Sequence, residues 1–119
     1  MYTIKLKIGG IDKEFTKEYI NVEDNLLATE QNVRQSALLQ DAKKANDPKE
    51  NRKLNEAYLK MFVDMFGGQF KVEDLKQADI GILKTLEKIY LAALGIKEEV
   101  LEEIEGDEEK RNKPRRSEG

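Results

Sequence analysis

The most constraining stretch of this chain lies between Asp47-Pro48 and Gly67-Gly68. There Leu54, Ala57, Tyr58, Met61, Phe62, Met65 and Phe66 recur at i, i+3, i+4, i+7, i+8, i+11 and i+12. Only an α-helix gathers those positions onto one face. Its ends are marked as sharply as its face. Asp47 fits the N-cap, Pro48 the first helical position and Glu50 the reciprocal capping residue, and Gly67 suits the left-handed position that closes a helix. A helix over 48–66 is therefore expected, and a core has to assemble around it.

The flanking segments supply candidate layers for that core. Tyr2, Ile4, Leu6 and Ile8 alternate with Thr3, Lys5 and Lys7 in the pattern of a half-buried strand. Gly9-Gly10 then provides a tight turn, and a second extended run passes through Ile11, Phe15 and Tyr19. A β-hairpin over 2–19 follows. Asn21 can cap a helix over about 22–45, where Glu23 and Asp24 complement the positive end of the dipole. Its apolar residues, Leu26, Leu27, Val33, Ala37, Leu38 and Ala42, form a narrow stripe broken by Gln31, Asn32, Gln35 and Gln40.

After Phe70 and Val72 a short helical turn is expected near 73–78, and Asp79 is placed to cap a helix over 79–94. Ile80, Ile82, Leu83, Leu86, Ile89, Tyr90, Ala93 and Leu94 give it a broad apolar face, so it is expected to be the most buried element. Ile96, Val100, Leu101 and Ile104 continue at helical spacing and predict a last helix over 97–105. Nothing apolar follows Gly106, and a segment that buries nothing cannot offset its ordering entropy, so 106–119 is expected to be a disordered charged tail. The predicted fold class is α+β, mainly α. An N-terminal hairpin leads into a bundle of three to four helices within one globular domain over 1–105.

Composition narrows the function classes. The 119 residues contain no cysteine and no histidine, which excludes disulfides, Cys/His zinc sites, thiolate nucleophiles and imidazole bases. The carboxylate pairs Glu23/Asp24, Glu98/Glu99 and Glu102/Glu103 occupy adjacent helical positions and point in different directions, so they cannot flank one substrate. Gly67-Gly68-Gln69-Phe70 follows a helix and lacks the Lys-Ser/Thr of a phosphate-cradling loop. The expectation is a protein that is not an enzyme, with no catalytic residues, cofactor or metal. Carboxylate-only metal chemistry is the one enzymatic route the composition leaves open. A net charge of -3 disfavours nucleic acid as a partner, although Lys43, Lys44, Lys49, Arg52 and Lys53 surround one inter-helix turn. No apolar run approaches the roughly 18 residues of a membrane span, and Met-Tyr-Thr-Ile-Lys does not open a signal peptide, so a cytosolic chain is expected.

Four apolar helix faces and a hairpin are a large surface for one short chain to cover, so part of it is expected to meet another chain. Methionine and aromatic side chains adapt well to an incoming amphipathic helix. Tyr58, Met61, Phe62, Met65 and Phe66 are accordingly the first candidates for client or self-association contacts, with Leu26 and Val33 on the weaker stripe as second choices.

The layout as a whole resembles the tail assembly chaperones of long-tailed bacteriophages and prophages of Gram-positive hosts. The resemblance is carried by Tyr2-Thr3-Ile4-Lys5-Leu6-Lys7-Ile8-Gly9-Gly10 with Phe15-Thr16 after it, and by Tyr58-Leu59-Lys60-Met61-Phe62-Val63. Gln69-Phe70-Lys71-Val72-Glu73-Asp74-Leu75 and Ile89-Tyr90-Leu91-Ala92-Ala93-Leu94-Gly95 complete it, so that it spans nearly all of residues 1–100. It implies a homo-oligomer in the host cytoplasm that coats the helix-rich tape measure protein and keeps it soluble. It also implies recruitment of the major tail tube protein, through a frameshifted longer form, and absence from the mature virion. The alternative expectation is a small helical phage-encoded regulator that binds nucleic acid or another regulatory protein through the turn between Lys43 and Lys53.

Overall fold

A computed structural model describes residues 1–96. Strands β1 (Tyr2–Ile8) and β2 (Ile11–Lys17) pair antiparallel in full register, with Ile4 opposite Phe15 and Ile8 opposite Ile11. Gly9 and Gly10 sit at φ 59° and 79°, the two positive values that a two-residue type I′ turn requires. Five helices follow: α1 (Val22–Gln40), α2 (Ala42–Ala45), α3 (Pro48–Met65), α4 (Val72–Lys76) and α5 (Ile82–Ala93). The fold is thus α+β and mainly helical, with an N-terminal antiparallel hairpin. The expected helix over 97–105 and the tail over 106–119 lie outside the described residues.

The core closes on α3. Met61, Phe62, Met65 and Phe66 pack with Ile4 and Leu6 of β1, Ala28 of α1, Phe70 and Leu75 around α4, and Leu86, Ile89, Tyr90 and Ala93 of α5. Phe62 is 0% exposed. Phe70 links the sheet to α3: its ring lies 5.2 Å from Phe15, edge-on, and 5.5 Å from Phe66. A two-stranded hairpin is marginal in water by itself. Here α4 and α5 pack on β1, and this cover stabilises it.

Two helix boundaries differ from the expectation. The helix expected over 22–45 is broken at Asp41, which ends α1 and starts α2. Its backbone N–H donates to the Leu38 carbonyl, and its carboxylate accepts from the Lys44 N–H at 3.2 Å. Aspartate competes for backbone donors and so favours a cap over a helix interior, and no apolar residue beyond Leu38 is buried in α1 to hold the helix continuous. The helix expected from 79 starts at Ile82. Asp79 instead caps a preceding turn, accepting from Gly81 N–H at 2.9 Å, while Ile82 and Leu83 donate to carbonyls three residues back. Ile80 is exposed, so the buried face of α5 is narrower than its apolar composition suggested.

Polar contacts fix α1 to the rest. Asn21 and Asp24 form a reciprocal capping box, and the buried Asp24 carboxylate also pairs with Lys17 Nζ at 2.9 Å, tying the end of β2 to the start of α1. Asn25 Nδ2 donates to the Ala93 carbonyl of α5 at 2.8 Å, and Gln31 Nε2 donates to the Leu54 carbonyl of α3 at 3.2 Å.

Two substitutions test this account by urea denaturation. Phe62→Ala should destabilise the fold by about 3–5 kcal/mol through loss of buried surface and the cavity left behind. Asp24→Ala should cost on the order of 3 kcal/mol, because it removes the helix cap and strands a nearly buried Lys17 ammonium.

Candidate partner-binding surface

The sequence-predicted contact residues divide into two groups. Met61, Phe62, Met65 and Phe66 are buried in the chain's own core, and Tyr58 is half-buried beside them, its ring edge-on to Phe62 at 4.9 Å. Their adaptable side chains are used to close α3 against the sheet and α5, which leaves no open methionine and aromatic stripe on this helix. Four of the five first-choice residues are therefore internal, and Tyr58 lies at their edge. Leu26 and Val33, the second choices, are 50% and 62% exposed.

The reason lies in how α1 is oriented. Its buried residues are Asp24, Ala28, Gln31 and Leu38. At 3.6 residues per turn, Val22, Leu26, Val33 and Ala37 fall within about a quarter of the circumference, on the side opposite that buried row. All four are exposed. The helix thus turns a half-polar row inward and leaves four apolar residues outward. The inward row is viable because its polar groups have partners: Asp24 has Lys17 and the cap, and Gln31 has the Leu54 carbonyl and Arg34. Sequence periodicity alone pooled Leu38 with Leu26 and Val33; the clue that separates them is the set of polar residues at helical spacing, Asp24 and Gln31, which have hydrogen-bond partners inside.

A concave surface lies between α3 and α5. Gln35 of α1, Asn55, Tyr58 and Leu59 of α3, and Leu83, Glu87, Tyr90 and Leu91 of α5 line an open groove of about 540 Å³. Tyr58 and Tyr90 meet edge-on in it at 5.3 Å. The Tyr90 hydroxyl is buried and has no hydrogen-bond partner among the described residues. Burial raises the pKa of Tyr58, helped by the Glu87 charge and by Tyr90, and burial likewise raises that of Tyr90.

Two of the basic residues near the inter-helix turn, Arg52 and Lys53, are paired with carboxylates of α3. Lys53 pairs with Glu50 and Arg52 with Glu56, each at 3.9 Å, and Glu56 also pairs with Lys76 of α4. The Lys76 hydrogen bond and charge lower the Glu56 pKa. Glu23 is exposed while its neighbour Asp24 is buried, so that carboxylate pair does not converge. Among the described residues no three Asp or Glu side chains are grouped to hold a metal ion, and no helix is long and apolar enough to cross a membrane.

Comparison with protein-family models, curated proteins and solved structures finds no match for this chain.

The tyrosine pair gives a pH-dependent expectation. Because the fold favours the neutral phenols, their contribution to stability is complete below the ordinary tyrosine pKa of 10.0 and is lost as pH rises through their higher folded values. Ultraviolet titration of tyrosinate should show a late phase above pH 10, coincident with loss of helical circular dichroism, and Tyr58→Phe should diminish that phase.

Proposed function

We propose that this chain is a non-enzymatic binding protein that covers an apolar helical client, and that it acts as a tail assembly chaperone for a phage tape measure protein in the host cytoplasm. The observation that carries the reading is the orientation of α1, whose Val22 and Leu26 at one end and Val33 and Ala37 at the other are exposed on one side of a helix held from behind by polar bonds. Isolated exposed apolar residues are ordinary on any surface. A row of them at helical spacing along a helix is a surface that a second amphipathic helix can cover.

The resemblance in layout supplies the identity of the client, and the described hairpin followed by helices is compatible with it. An extended, helix-rich client exposes many apolar stripes. Burying about 25 cal/mol per Å² of apolar surface at each contact gives modest individual affinity. Repetition along the client converts modest contacts into effective cover that can still be released. Self-association into a multivalent array, and recruitment of the tail tube protein by a longer frameshifted form, belong to the same proposal.

Co-expression with the tape measure protein tests it. The wild-type chain should raise the soluble fraction of the client. Leu26→Asp combined with Val33→Asp should abolish that effect while shifting the chain's own stability by less than about 1 kcal/mol, since both residues face solvent. A client that stays insoluble with the wild-type chain overturns the chaperone reading, and an unimpaired double variant overturns the role of α1. Phe62→Asp is not informative for binding because Phe62 belongs to the core.

A further inference from the structure

The exposed side of α1 is complementary to itself. Val22, Leu26, Val33 and Ala37 follow one another at intervals of four, seven and four residues, so the spacing reads the same from either end of the helix. Its midpoint falls between Thr29 and Glu30. A two-fold axis at that point sets a second copy of α1 antiparallel to the first. Leu26 then lies beside Val33 of the second copy and Val22 beside its Ala37, each contact occurring twice, as an isologous interface requires.

We propose that, in the absence of a client, the outer side of α1 is covered by α1 of a second copy packed antiparallel about this axis. The closed pair uses the surface invoked above for the client, so pairing and client cover are alternatives. The inference rests on that surface and not on the identity of the client.

Three observations favour a reversed copy as the occupant. The first is the character of the polar gap between the two apolar ends. Thr29 is exposed, but its hydroxyl already donates to the Asn25 carbonyl at 2.8 Å, so covering it strands no donor. Ser36 and Gln40 share its flank of the helix and are uncharged, and in a reversed pair that flank faces its own copy. On the other flank Glu30 approaches its own copy across the axis, and Arg34, 3.9 Å from it on the same helix, balances its charge.

The second is charge at the two ends. The exposed Glu18 and Glu23 make the start of α1 acidic, since Asp24 is paired with Lys17, and just past its last residue the exposed Lys43 and Lys44 outnumber Asp41. Antiparallel packing brings unlike ends together and opposes the two helix dipoles, whereas parallel packing sets Lys43 and Lys44 against themselves. The third is extent. A helix of 19 residues is about 28 Å long and about 10 Å wide, a contact on the order of 300 Å² per copy, well short of the roughly 800 Å² per partner of a stable complex. A pair of this size exchanges readily, as a cover that gives way to a client has to.

The purified full-length chain tests the inference with no client present. Sedimentation velocity should show monomer at about 10 µM and a growing dimer fraction towards about 1 mM, the range that suits so small a contact. Leu26→Asp combined with Val33→Asp should keep the helical circular dichroism and stay monomeric throughout. The natural absence of cysteine lets direction be read separately. When Leu26→Cys chain and Val33→Cys chain are mixed and oxidised, the mixed disulfide should form at least about tenfold faster than either symmetric one, through its higher effective concentration. Wild-type chain that is still monomeric at about 1 mM overturns the inference and leaves the chaperone reading standing. A dimer that survives the double aspartate variant, or symmetric disulfides as fast as the mixed one, also overturns it. A client that stays insoluble although the chain pairs as described overturns the chaperone reading alone.

Discussion

The aromatic and methionine stripe of α3 is the seam on which the other elements close. Phe62 meets no solvent and Met61 almost none because β1, α1, α4 and α5 each contribute at least one buried side chain to the same cluster. A hairpin of this size cannot stand without cover, and α5 has only one side with which to provide it. The stripe therefore has a structural task that takes precedence over any external one. Its side chains cannot reach a partner without opening the core they hold together.

That commitment shifts the question of binding to the periphery, where α1 is attached in a different manner from α3. Apolar burial orients α1 only in part, since its inward row alternates Ala28 and Leu38 with the polar Asp24 and Gln31. Directional bonds complete the orienting: Lys17 to Asp24 at one end, Asn25 to the Ala93 carbonyl beside it, and Gln31 to the Leu54 carbonyl midway. Hydrogen bonds specify rotation about a helix axis more sharply than a small apolar contact does, because their strength depends on both distance and angle. The outcome is a helix that keeps Ala28 and Leu38 inside and leaves Val22, Leu26, Val33 and Ala37 outside.

The two open surfaces differ in character. The outer face of α1 is convex and lacks aromatic residues, as suits shallow contacts along an elongated partner. The α3–α5 groove is concave, contains two tyrosines and an unpaired hydroxyl, and lies beside the exit of the chain from α5.

Short-range pattern was enough to specify the local elements. Alternation and Gly9-Gly10 specified the hairpin, Asp47-Pro48 and Gly67 delimited α3, and Asn21 started α1, because each of these depends on backbone geometry and near-neighbour hydrogen bonds. The break at Asp41 was legible only in part, since an aspartate inside a helical pattern becomes a cap where tertiary burial fails to hold the helix together. What the tertiary structure alone decided is which of two similar stripes is used inside. Periodicity records that a helix has an apolar face but not which way the face turns. That choice depended on long-range partners, the Ala93 and Leu54 carbonyls and the Lys17 ammonium, which lie far from α1 in sequence or on another element and which no local pattern could specify.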